Sequence, residues 1–97
     1  GENIYCIEVE DALYQHPDVL DVAVVGIPDR VLGEQVGAMV QARAGSAVDE
    51  GALQAHVRAR LAAFKVPVRI AFSATPLPRN ANGKIMKIDV KRAMGLA

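Results

Sequence analysis

Between Ile4 and Gln15, the residues Tyr5, Val9, Ala12 and Leu13 recur at helical spacing. They predict a helix with one buried stripe, leaving Glu8, Glu10 and Asp11 mostly on a solvated face. Asn3 is placed to cap its start, Pro17 ends it, and His16 falls in the last turn, where an imidazole can cap free carbonyls. Val19-Leu20 and then Val22 to Ile27 form an apolar, β-branched run. Its length suits a buried strand, and Pro28-Asp29 is expected to break it. After a loop pivoting on Gly33, the chain from Gln35 to Ala42 alternates. Val36, Ala38, Val40 and Ala42 share one face, and Gln35, Gly37, Met39 and Gln41 the other. That is the period of a strand with one covered face, close enough to the first to pair with it antiparallel.

Arg43 to Ser46 reads as a surface turn. Asp49 is placed as an N-cap, with Val48 and Leu53 flanking it as a hydrophobic staple. Leu53, Val57, Leu61 and Phe64 then form one helical stripe. Val66-Pro67 ends that segment, and Val68 to Ser73 reads as a third strand. Asp89 is placed to cap a last short helix, Val90 to Met94, closed by Gly95. A strand–helix–strand crossover makes the second and third strands parallel. The expected fold is α/β (α+β), a two-layer sandwich. It has a small mixed three-stranded sheet flanked by helices, in the order α-β-β-α-β-α.

A chain of 97 residues is one domain at most. Lys plus Arg is 11 and Asp plus Glu is 11. Zero net charge argues against a nucleic-acid binder driven by bulk electrostatics, yet leaves room for a local cationic site. No apolar run approaches the ~20 residues of a membrane span. The single Cys6 excludes an intramolecular disulfide framework and a cysteine metal cluster, and His56 has no partner at ligand spacing, so no metal site is expected. Cytoplasmic residence is the default. Gly1 is not an initiator methionine, which suggests a piece of a longer chain.

The candidate chemistry lies in Pro76-Leu77-Pro78-Arg79-Asn80-Ala81-Asn82-Gly83-Lys84. Two prolines enforce an extended approach, and Asn80, Asn82 and Gly83 are turn formers. Lys84 then presents an ammonium to any nearby anion. Taken alone, that chemistry reads first as an ordinary solvated surface lysine. No Walker-type loop is present, because Pro78 stands where its first glycine would be and Ile85 follows Lys84.

Pro78 to Lys84 resembles the P-x-x-x-x-G-K signature near the C-terminus of the adenylate-forming superfamily of acyl-CoA synthetases and related ligases. Gly1-Glu2-Asn3-Ile4-Tyr5 with Glu8-Val9-Glu10 is similar to the loop and helix that open the small C-terminal domain of those enzymes. His16 to Val19, Ala23 to Asp29, Gly33-Glu34 and Phe64 to Pro67 match further segments in order. The resemblance implies that this chain is the C-terminal domain of an enzyme whose N-terminal domain binds ATP and Mg2+. That enzyme would convert a carboxylic acid to an acyl-adenylate and then, with CoA, to a thioester, while the fragment alone would be inactive.

By the same resemblance, Lys84 is the adenylation lysine and Gly83 its loop support. Gly1, Glu2, Asn3 and Tyr5 would line the thiol tunnel after the domain rotates. Lys65 and Arg69, as exposed cations, are candidate contacts to CoA phosphates. The implied partners are the N-terminal domain, ATP and AMP, the acid, CoA, and a lysine acetyltransferase and deacetylase acting on Lys84. The Gly-Glu-Asn-Ile-Tyr form favours CoA over a carrier-protein thiol. A non-catalytic α/β interaction module that docks through the lysine loop is the competing class.

Overall fold

A computed structural model describes residues 4–31 and 33–96. The order is α1 (Ile4–Tyr14), β1 (Val19–Asp29), β2 (Gly33–Ala42), α2 (Glu50–Arg58), a 3-10 turn (Ala63–Lys65), β3 (Arg69–Ser73) and α3 (Lys87–Ala93). The central strand β2 pairs antiparallel with β1 and parallel with β3, as the crossover through α2 requires. The expected mixed three-stranded sheet flanked by helices is therefore what forms.

The apolar positions build two clusters, one on each side of the sheet. Val9 and Leu13 of α1 and Leu53 and Val57 of α2 close over Val22, Val24, Ala38 and Val40. On the reverse face, Ala23, Val25 and Met39 meet Leu77, Val90 and Met94. The second strand thus has more than the one covered face its alternation suggests, because short α3 and the segment before it fold back across the sheet. Asp49 caps α2 as expected, accepting from the Ala52 amide at 2.8 Å.

Several local expectations are corrected. Pro28-Asp29 does not break β1, which runs on to Asp29. Pro28 shares the parity of Val22 and Val24, whose amides face away from β2, so its missing donor costs no ladder bond. The stripe through Leu61 to Phe64 is not one helix. α2 stops at Arg58, and the 3-10 turn leaves Phe64 66% exposed. Val66 is extended ahead of Pro67, as a pre-proline residue prefers. α3 begins at Lys87, with Asp89 in its first turn rather than at its cap. Nor does His16 cap α1, since its Nδ1 accepts from the Asp18 amide. His56 does so from α2, its Nε2 lying 2.7 Å from the Ala12 carbonyl oxygen. Burial pushes the His56 pKa down, and the nearby Arg60 and His16 add to that against the opposing Ala12 carbonyl.

The order of the strands leaves β1 at an edge, with unpaired backbone groups. Side chains cover them. Glu10 accepts from the Val24 amide at 2.8 Å, and Lys87 donates to the Val24 carbonyl oxygen. Glu10 is therefore a packed, bonded group rather than part of a solvated acidic face.

Candidate functional site

The lysine loop is a built hairpin. Arg79 and Ile85 form an antiparallel bridge, and the Met86 amide donates to the Pro78 carbonyl at 2.9 Å. At the tip, the Asn80 amide donates to the Lys84 carbonyl and the Gly83 amide to the Asn80 carbonyl, both at 2.9 Å. The Asn80 carboxamide oxygen also accepts from the amides of Asn82 at 2.9 Å and Lys84 at 3.0 Å. Asn80 is thus the organiser of the turn, the local geometry its side chain favours. Gly83 has φ +83°, and a Cβ there would meet nothing within 4 Å inside the domain. Glycine is needed for the left-handed backbone rather than for close packing here. Lys84 is exposed, and its side chain has no hydrogen bond or ion pair among the described residues.

What holds the hairpin to the sheet is a buried carboxylate. Asp21, in β1, is only 6% exposed. Arg79 grips it with both terminal nitrogens, Nη1 to Oδ2 at 2.6 Å and Nη2 to Oδ1 at 2.7 Å. The Tyr14 hydroxyl donates to Oδ1 at 2.8 Å, and the Leu77 amide reaches Oδ2 at 3.4 Å. On the far side of the turn, Lys87 donates to Glu10 at 2.7 Å. A charge taken out of water is tolerated only when paired and hydrogen-bonded, and each of these carboxylates is.

Burial alone would raise the Asp21 pKa, but the Arg79 guanidinium and the Tyr14 hydroxyl outweigh it and hold the carboxyl below its usual range. Burial pushes Tyr14 the other way, upward, and its bond to Asp21 adds to that. A carboxyl lowered by folding stabilises the fold above its unfolded-state pKa, about 4, and that contribution is lost as pH falls through the lower folded value. Asp21→Asn is accordingly expected to be less stable than the parent at pH 7, with the gap narrowing below about pH 4. Urea midpoints of both proteins across pH check this. A gap that stays constant down to pH 2 would contradict it.

The other expected site residues lie elsewhere. Gly1, Glu2 and Asn3 are outside the described residues, as is the side chain of Tyr5. Lys65 is not the exposed cation expected. It pairs with Glu8 of α1 at 2.9 Å and lies 5.5 Å from the Phe64 ring centre. Arg69, at the start of β3, donates to the Met94 carbonyl oxygen at 2.6 Å, at the end of α3. β3 is the edge strand opposite β1, whose edge anchors the lysine hairpin. A largely apolar pocket of about 580 Å3 opens beside the first turn of α1, lined by Cys6, Gly26, Glu34, Phe64 and Val68 among others. Lys84 is not among its walls. Sequence reasoning missed Asp21, Arg79, Glu10 and Lys87 as site residues. The available signal was an aspartate set inside a β-branched apolar run.

Residues 8–84 match the AMP-binding enzyme C-terminal domain, and the chain belongs to that family. It is 45% identical over 92 residues to 2-succinylbenzoate–CoA ligase of Geobacillus kaustophilus, covering 95% of this chain and 19% of that protein. It is 45% identical over 95 residues to feruloyl-CoA synthase of an Amycolatopsis species, covering 98% of this chain and 19% of that protein. Among solved structures it matches the amide bond synthetase McbA from Marinactinospora thermotolerans with TM-score 0.86 and 40% identity, over 94% of this chain and 18% of that one. The chain thus spans under a fifth of the length of these relatives.

Proposed function

We propose that this chain serves as the C-terminal domain of a longer ATP-dependent acid–thiol ligase, and that Lys84 serves its adenylation step. The carrying observation is the hairpin itself, which holds on a fixed backbone an exposed ammonium with no partner among the described residues. In adenylation a carboxylate oxygen attacks the α-phosphorus of ATP, and pyrophosphate leaves. Two anions must meet, and a pre-positioned cation offsets their repulsion where water is excluded. In the second step a thiolate attacks the acyl carbon and AMP leaves. Mg2+ binding is assigned to the rest of the enzyme, as the resemblance implies; among the described residues no group of three or more His, Cys, Asp or Glu side chains able to hold a metal ion occurs.

The thiol step is assigned to the side of the domain where α1 begins. The pocket beside Cys6 lies there, and it shares no wall with Lys84. CoA is the acceptor favoured by the named ligases, and the likeness to an amide bond synthetase supports an amine acceptor as the second reading. Adenylation is common to both. An exposed Lys84 also suits the acetylation expected from the resemblance, which would remove its charge.

The test is to measure the two half-reactions separately in the full-length enzyme carrying Gly1→Leu. A bulky side chain in the tunnel is expected to slow thioester formation from added acyl-adenylate by about tenfold or more, leaving adenylate formation within about threefold. Equal slowing of both steps would overturn the division of labour. Transfer to an amine but not to CoA would replace the first acceptor with the second.

A further inference from the structure

The hairpin that carries Lys84 is fastened at both ends to the same strand edge. Before the turn, Arg79 holds Asp21 of β1 through two short bonds, and Tyr14 of α1 braces that carboxylate from behind. After the turn, Lys87 holds Glu10 of α1 and the Val24 carbonyl oxygen of β1, while Glu10 also accepts from the Val24 amide. Between the two clasps the tip is closed by its own backbone and by Asn80. Moving the Lys84 backbone against the sheet therefore requires opening a clasp. Covering an exposed strand edge would need only some polar side chain. Here the groups that cover it are joined to ions on the residues that flank the lysine turn.

We propose that Asp21 with Arg79, and Glu10 with Lys87, are positioning residues for adenylation. They make Lys84 part of the rigid body of the domain, so that any movement of the domain carries the ammonium as a fixed point. This rests on the assignment of Lys84 to adenylation. Neither pair touches substrate; each acts through the lysine. Arg79 matters as a planar fork that fixes orientation, which a lysine's point charge would not reproduce.

The experiment uses the full-length enzyme with Asp21→Asn, Arg79→Lys and Lys87→Met, each made alone and in a Lys84→Ala background. Freed of one clasp, the ammonium shifts by about an ångström, and adenylate formation is expected to fall by about tenfold to a hundredfold. Thioester formation from added acyl-adenylate should stay within about twofold. In the Lys84→Ala background the same changes should slow adenylation no further, since there is no ammonium left to misplace. A purely structural role would lower both half-reactions and would persist in that background, and either result would overturn the proposal. Arg79 is 35% exposed at its side chain, so Arg79→Lys decides the matter if Asp21→Asn fails to fold. Should Lys84→Ala alone leave adenylation unchanged, the assignment of the lysine would fail first, visibly and in the same data set, and the proposal with it.

Discussion

Lys84→Ala in the full-length enzyme is expected to slow acyl-adenylate formation by about a few hundredfold, on the order of 3–4 kcal/mol. The size follows from what the ammonium is asked to do. In the proposed step a carboxylate and an α-phosphate would approach one another, and one cation touching both would offset their repulsion where water is scarce. The ground-state cost of removing it is small, because Lys84 is exposed and bonds to nothing among the described residues. The lost rate would therefore be transition-state stabilisation and not misfolding, and urea midpoints of parent and variant should coincide. Lys84→Arg keeps the charge on a wider, planar head and is expected to recover only part of the loss. Pyrophosphate release at saturating ATP and acid reads the rate changes. An alanine variant within about threefold of the parent would remove the lysine from the mechanism.

Leu53→Ala is expected to destabilise the domain by about 2–5 kcal/mol. Leu53 is fully buried in α2, within the cluster that joins both long helices to the sheet. Truncating it removes apolar contact and leaves a cavity between elements that cannot collapse freely, since the sheet is fixed by its ladder. With a urea m-value of about 1–3 kcal/mol/M, the midpoint should fall by roughly 0.7–5 M. Val31→Ala, at a position 90% exposed, should leave it nearly unchanged. Equal shifts in the two variants would show that the cluster under α1 and α2 is not the core.

Much of this was legible in the sequence because it is local. Asp49 sits three residues before the amide it caps, and Leu53 and Val57 lie one helical turn apart. The alternation from Gln35 to Ala42 is a strand's own period. The lysine hairpin announced itself by Pro78, Asn80, Gly83 and Lys84 within seven positions. What stayed hidden joins residues far apart in the chain. Asp21 meets Arg79 across 58 positions, and Glu10 meets Lys87 across 77. No periodicity encodes such pairs. Only the cost of burying an unpaired charge hints that Asp21, between Leu20 and Val22, must find a distant partner. The extension of β1 through Pro28 was hidden for another reason. Whether a proline's missing donor matters depends on which strand lies at the edge, and that is a property of the finished sheet.

Lys84 is proposed to serve one half-reaction and not the other, and both rates measured in a single Lys84→Ala enzyme decide between the two. Adenylate formation is followed from ATP and acid, and thioester formation from added acyl-adenylate and CoA. The first is expected to fall by about a few hundredfold while the second stays within about twofold of the parent. Equal slowing of both steps would contradict it.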